Sequence, residues 1–207
     1  MALKFNDVKG EAQKSNIKYF KFTDGVNVFR LVGDILPRYA YFLKLDNGKT
    51  VAVECLAFSR EEERFTNRVK DVIAEKFPEQ KCSWNYLCNA LVDGEIKVVP
   101  LKKKLFGQIL SVASDIGDPT DLDNGYELHV VKSGTGFSTE YTLKQLKCKP
   151  KALSDEEKDL VANMKSIDEL FPTPTPEEQL AFIEANFSSN SVDDQEAIDD
   201  LAEDKPF

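Results

Sequence analysis

Apolar and polar residues alternate in short runs through the first half of the chain, and the runs are punctuated by Asp-Gly and Asn-Gly pairs. "NIKYFKF" and "VNVFRLV" flank Asp24-Gly25, while "RYAYFLKL" and "KTVAVECLAF" flank Asp46-Asn47-Gly48. A period of two marks a strand with two unlike faces, and Gly and Asn accept the positive φ of a tight hairpin. Four strands are therefore predicted before residue 60. The period then lengthens: Phe65, Val69, Val72, Ile73 and Phe77 recur at three- and four-residue steps. Ser59 and Glu62 form a capping-box pair ahead of them and Pro78 stops the pattern, which predicts a helix over 60–76.

Strand character returns in "SWNYLCNALVDGEIKVVPL", with a third hairpin at Asp93-Gly94. Leu101, Leu105, Ile109 and Val112 then share one helical face after Pro100. "DIGDPTDLDNG" is a turn-rich surface loop, and "YELHVVKSGTGFSTEYTLKQL" predicts a last hairpin. Ser154 and Glu157 open another helix, and Pro176 follows a Pro-Thr linker as the first-turn residue of one more. Residues 188–207 have little to bury and are expected to be disordered. Many short strands with helices set between them suggest a small barrel, mainly β, not a doubly wound sheet.

The 207 residues carry a net charge of −9, but the sign is not uniform. Residues 1–151 hold 24 lysines and arginines against 20 carboxylates, a charge of +4; residues 152–207 hold 3 against 16, a charge of −13. A mildly basic body with a strongly acidic end suits polyanion binding by the body, or a neutral domain with a solubilising tail. There is no apolar run long enough to span a bilayer and no signal-peptide core, so a cytoplasmic protein is expected. Four scattered cysteines do not make a disulfide scaffold.

Catalytic chemistry has little to stand on. His129 sits inside a strand pattern, "SGTGF" matches no phosphate-binding loop, and Asp115, Asp118, Asp121 and Asp123 lack calcium-loop spacing. No enzyme activity, cofactor or metal is expected. What the body does have is aromatic rings interleaved with cations: Arg38, Tyr39, Tyr41 and Lys44; Lys81, Trp84 and Tyr86; Lys102, Lys103, Lys104 and Phe106; Phe137, Tyr141 and Lys144. Cations neutralise phosphates and flat rings stack on unpaired bases, the mixture that single-stranded nucleic acid requires. Alternation puts Tyr39 and Tyr41 on one face, opposite Ala40 and Phe42, and their polar tips suit a wet groove, so both are expected to point outward. Trp84 and Tyr86 share a face by the same rule.

"VFRLVGDILP", "SWNY" after a basic residue, "KKKLFGQI" and "GYELHVVKSGTGFSTEY", in that order over residues 15–145, resemble the phage single-stranded-DNA-binding proteins, helix-destabilising replication proteins built on an OB fold. The resemblance implies a five-stranded OB barrel with extra strands and C-terminal helices, and DNA contacts by Arg30, Trp84, Tyr86, Phe137 and Tyr141. It implies a role in DNA replication, recombination or repair, in the host cytoplasm if phage-encoded. Some members hold zinc through one His and three Cys; only Cys55, Cys82 and Cys88 fall near that region here. "DDLAEDKPF" is similar to the family's acidic ending, which implies that Asp199, Asp200, Asp204, Pro206 and Phe207 engage a partner such as a DNA polymerase or helicase. The domain division expected is a DNA-binding body at 1–151, a helical extension at 152–187 and an acidic tail at 188–207. Self-association stays open, and so does the alternative of an adaptor or DNA-mimic inhibitor that works through its acidic region.

Overall fold

The computed structural model describes residues 17–187, so the expectations for the tail and its partner-binding residues lie outside the described part. The chain is mainly β with several helices. A six-stranded sheet runs β6-β5-β1-β7-β8, with β2 also paired to β1. Its strands are β1 (Gly25–Lys44), β2 (Thr50–Glu54), β5 (Ser83–Val92), β6 (Glu95–Lys102), β7 (Leu128–Ser133) and β8 (Glu140–Leu143). A small separate pair, β3 (Phe58–Ser59) and β4 (Arg64–Phe65), forms between β2 and the first helix. The helices are α1 (Val72–Lys76), α2 (Lys103–Ile116), α3 (Asp155–Ala162), α4 (Ile167–Leu170) and α5 (Pro176–Asn186).

Two compact units divide these elements. The first holds residues 17–36 and Tyr86–Leu170; the second holds Pro37–Asn85 and residues 171–187. The expected helical extension contributes α3 and α4 to the first and α5 to the second.

In the first unit β1 pairs antiparallel with β7, Val28 opposite His129, and β7 with β8, Lys132 opposite Tyr141. Asp93 (φ 50) and Gly94 (φ 75) turn the β5–β6 hairpin, both with the positive φ that such two-residue turns demand. Leu105, Phe106, Ile109 and Val112 are the buried stripe of α2. Leu101, expected on the same helical face, belongs instead to the end of β6. Between α2 and β8 the side chain of Gln108 bonds as backbone would: its Nε2 donates to the Tyr141 carbonyl at 3.0 Å and its Oε1 accepts the Leu143 amide at 2.8 Å. Ser154 caps α3 with the reciprocal bonds to Glu157, as its spacing predicts.

The expected hairpin at Asp24-Gly25 does not form. Gly25 takes φ +89, but the bend is held by Asn27, whose Oδ1 accepts the Thr23 amide at 2.8 Å while Nδ2 donates to the Thr23 carbonyl. Residues before the bend reach β6 through an isolated parallel bridge, Tyr19 to Val98. Phe20 and Phe22 pack on Phe29, at 5.2 and 5.8 Å between ring centres, so ring burial takes precedence over the local turn signal.

In the second unit β1 and β2 form the predicted hairpin, Leu43 opposite Val51. The helix expected over 60–76 is mostly absent. The Ser59 hydroxyl does accept the Glu62 amide at 3.2 Å, but Glu63 and Asn67 adopt φ of 47 and 52, which a helix cannot accommodate. The chain turns back instead, pairing Phe58 with Phe65 and Ser59 with Arg64. The true helix is α1, capped by Asp71, whose Oδ1 accepts the Ala74 amide at 3.0 Å. Its core joins Tyr41, Leu43, Phe58, Val72, Ile73 and Ile183. Gln179 of α5, 1% exposed, clips this unit together: its Nε2 donates to the Glu54 carbonyl at 2.6 Å and its Oε1 accepts the Val72 amide at 3.2 Å.

Candidate nucleic-acid interface

Four rings gather in the second unit. Tyr39 of β1 lies 4.8 Å from Trp84 of β5, 5.0 Å from Phe58 and 4.7 Å from Phe65, measured between ring centres. Phe58 closes the group, 4.9 Å from Trp84 and 5.6 Å from Phe65. Their mutual angles are tilted or edge-on, the arrangement ring quadrupoles favour. Phe58 is buried and Tyr39 and Trp84 are half-buried, but Phe65 is 46% exposed, so the cluster presents a ring to solvent on a buried aromatic base.

Cations surround it unequally. Glu54, buried, holds Arg38 Nε at 3.0 Å and Arg60 Nε at 2.9 Å, and Arg60 also donates to the Phe171 carbonyl. The Arg38 guanidinium lies 5.7 Å from the centre of the Phe171 ring. Both arginines are thus engaged inside the unit. Arg64 and Arg68 are solvent-facing, each bonded to Glu62. Lys44 and Lys81 are exposed. Chemically, the second unit offers one solvent-exposed aromatic ring, Phe65, and exposed guanidinium groups on neighbouring residues, a setting for stacking and for anions.

Tyr41 does not share the surface with Tyr39. It is buried, its hydroxyl donating to Asp71 Oδ2 at 3.3 Å beside the Cys55 thiol at 3.5 Å. Asp71 supplies the partner that a buried hydroxyl needs, and Phe42, expected inward, is 51% exposed instead. Burial and the neighbouring Cys55 push the Tyr41 hydroxyl well above its ordinary pKa, while burial pushes the Cys55 thiol up to about 12.

The first unit engages several expected contacts internally. Tyr86 and Phe106 stack on each other with centres 3.8 Å apart and planes at 22°, both buried. Arg30, 3% exposed, donates to the carbonyls of Lys151 and Asp121. Its burial lowers the guanidinium pKa, opposed by the charges of Glu157, Glu127, Asp121 and Asp123. Gly125 must be glycine here, because a Cβ would stand 2.3 Å from the Asp121 carbonyl oxygen and 2.9 Å from the Arg30 guanidinium. These residues were expected at a wet groove; each instead has a partner or a packed neighbour that removes it from solvent.

Lys102, Lys103, Lys104 and Lys144 are exposed, with Lys104 3.9 Å from Glu140. Tyr141 is half-buried against Phe22 at 4.9 Å. Phe137 lies in the short turn Gly136–Ser138 between β7 and β8. Among the described residues no group of three or more His, Cys, Asp or Glu is placed to hold a metal, and no helix is long and apolar enough to cross a membrane.

No family model matches the chain. Among curated proteins, it is 26% identical over 237 aligned residues to a protein of Escherichia phage T5, across 95% of this chain and 91% of that one. The relative is named "Probable ssDNA-binding protein". The resemblance to phage ssDNA-binding proteins, carried in the sequence by loosely spaced motifs, thus extends over nearly the whole chain.

Sequence reasoning brought Tyr39 and Trp84 forward but missed Phe65, Arg64 and Arg68. All three lie inside the stretch that reads as a helix, where Phe65 would be a core position. The signal available was "FSREEERF", two phenylalanines separated by six polar residues, which is also the pattern of a short hairpin.

Proposed function

We propose that the protein binds single-stranded DNA without reading its sequence, through the ring cluster of Tyr39, Phe65 and Trp84 and the cations around it. The exposed Phe65, backed by three further rings and followed within three residues by Arg68, is the observation that carries this reading. A base needs only a ring face, which every base can use, and the phosphates need only positive charge, so such a surface is sequence-tolerant. The name of the phage relative agrees with the same class of ligand.

The element order supports an OB barrel in the first unit. Five strands, β1, β5, β6, β7 and β8, carry α2 between the third and fourth, and Pro37–Asn85 is inserted between the first and second. In that fold the connection between strands one and two and the one between strands four and five border the nucleic-acid path. The second unit occupies the former position in the chain, and the turn with Phe137 occupies the latter. Within the second unit Lys81, and within the first Lys102, Lys103, Lys104 and Lys144, are the exposed cations we assign to phosphate contacts. The protein would hold unpaired strands during phage DNA replication, recombination or repair, with the acidic segment ending in Pro206-Phe207 recruiting other replication proteins. Phe207→Ala should weaken that recruitment and leave DNA affinity unchanged.

Fluorescence of Trp84, the single tryptophan, tests the central claim. Titration with oligo-dT should change its emission, with an affinity that falls as salt rises, about 0.7 in log–log slope per phosphate contact, and duplex of equal length should do much less. Equal affinity for duplex, or no binding of oligo-dT by fluorescence and gel shift together, would reject it.

A further inference from the structure

Glu62 stands where a phosphate would. Its Oε2 accepts from Arg64 Nε at 2.7 Å and from Arg64 Nη2, and its Oε1 accepts from Arg68 Nη1 at 2.6 Å. Two guanidinium groups converge on the two oxygens of one anion, the geometry by which arginines hold the paired oxygens of a carboxylate or phosphate. The arrangement faces water: the side chains of Arg64 and Arg68 are 65% and 69% exposed, and that of Glu62 30%. Nothing buried depends on it, in contrast to Arg60, whose bonds go to the buried Glu54 and to the Phe171 carbonyl.

We infer that Arg64 and Arg68 form a phosphodiester subsite which the Glu62 carboxylate fills in the free protein, and that a DNA phosphate enters by exchanging with it. This rests on the single-strand-binding reading above and names one of its contacts. The exchange is easy on physical grounds. Exposed ion pairs are weak, and the carboxylate that leaves is received by water. The Glu62 amide stays bonded to the Ser59 hydroxyl, so only the side chain has to swing. Hydrogen bonding from Arg64 holds the Glu62 carboxyl below its ordinary pKa, so it is ionised throughout the neutral range and competes as an anion. Phe65, next to Arg64, places a stacking surface one residue from the subsite.

The exchange makes a prediction that runs against a structural role for the ion pairs. In the full chain, Glu62→Gln should tighten oligo-dT binding several-fold. Its salt slope should stay close to that of wild type, because the exchange gives both proteins the same phosphate contacts and therefore the same release of cations from the DNA. Glu61→Gln removes the same charge from a neighbouring exposed position and controls for the general field, so its gain should be smaller. In an Arg64→Gln/Arg68→Gln background the gain from Glu62→Gln should vanish, and urea unfolding should show that all variants stay folded. A gain no larger than that of Glu61→Gln, or one that persists without the arginines, would overturn the inference while leaving single-strand binding intact. A wild-type protein that ignores oligo-dT would bring down the single-strand reading itself, and this subsite with it.

Discussion

Replacing Phe65 by leucine separates what the ring does for DNA from what it does for the fold. Phe65 is 46% exposed and meets Tyr39 and Phe58 at 4.7 and 5.6 Å. Truncating a fully buried phenylalanine to alanine costs about 3–5 kcal/mol. A half-exposed one that keeps a leucine in its place should lose about 1 kcal/mol, its two ring-ring contacts each counted at the low end of about 0.5–1.5 kcal/mol because solvent shares the ring. The effect on binding should be larger. Stacking a base contributes about 1–3 kcal/mol, which is about fivefold to more than hundredfold in Kd. Anisotropy of labelled oligo-dT at fixed salt, paired with urea unfolding, measures both quantities on one variant. An affinity within twofold of wild type, with the second unit still folded, would show that bases do not stack on Phe65. A collapse of the fold would show that the hairpin depends on the ring for stability, against the exposure argument.

Glu54→Gln should destabilise the second unit by about 3–5 kcal/mol, because it strands the buried charges of Arg38 and Arg60; urea unfolding followed by Trp84 emission reads it, and a change under 1 kcal/mol would mean that the triad is solvated. Gln108→Leu leaves the Leu143 amide and Tyr141 carbonyl without their partner and should cost about 1–3 kcal/mol, with faster amide exchange at Leu143. Burial raises the thiols of Cys55, to about 12, and of Cys88. An unfolded chain therefore loses these protons near pH 8.5 while the folded one keeps them, so stability should fall as pH rises from there towards 12. In the folded protein at pH 8 a disulfide reagent should label half-buried Cys82 first, and prompt reaction of all four thiols would refute this.

Features encoded within a few residues were legible. The hairpins at Asp46-Asn47-Gly48 and Asp93-Gly94, the capping box at Ser154 and Pro176 at the first turn of α5 all appear as expected, because their bonds close within one turn of chain. Where distant residues compete, local signals lost. The apparent helix start at Ser59 gave way to pairing of Phe58 with Phe65, and the turn at Asp24-Gly25 gave way to burial of Phe20 and Phe22 on Phe29. Tyr41 illustrates the limit of two-fold alternation. In the middle of β1 both faces are covered, Ala40 and Tyr41 being buried in succession, so polarity could not separate them. For the interface, composition identified the residue types and the loops rich in them, but not which arginines would face solvent: Arg38 and Arg60 turn inward to the buried Glu54, while Arg64 and Arg68 pair with Glu62 at the surface.

Strand β1 also sets the order in which the molecule can be completed. Its first half pairs with β7, so that Asn27 meets a carbonyl 103 residues further along the chain. Bringing such distant segments together costs loop entropy before any contact compensates, and folds dominated by these pairings form slowly. During synthesis the edge of β1 that pairs with β7 must therefore wait until residues near 130 have been made. The second half of β1 closes with β2 at once through a short hairpin. Local contacts thus favour an early hairpin in the inserted unit, while the waiting edge of β1 stays open to pairing with a neighbouring chain.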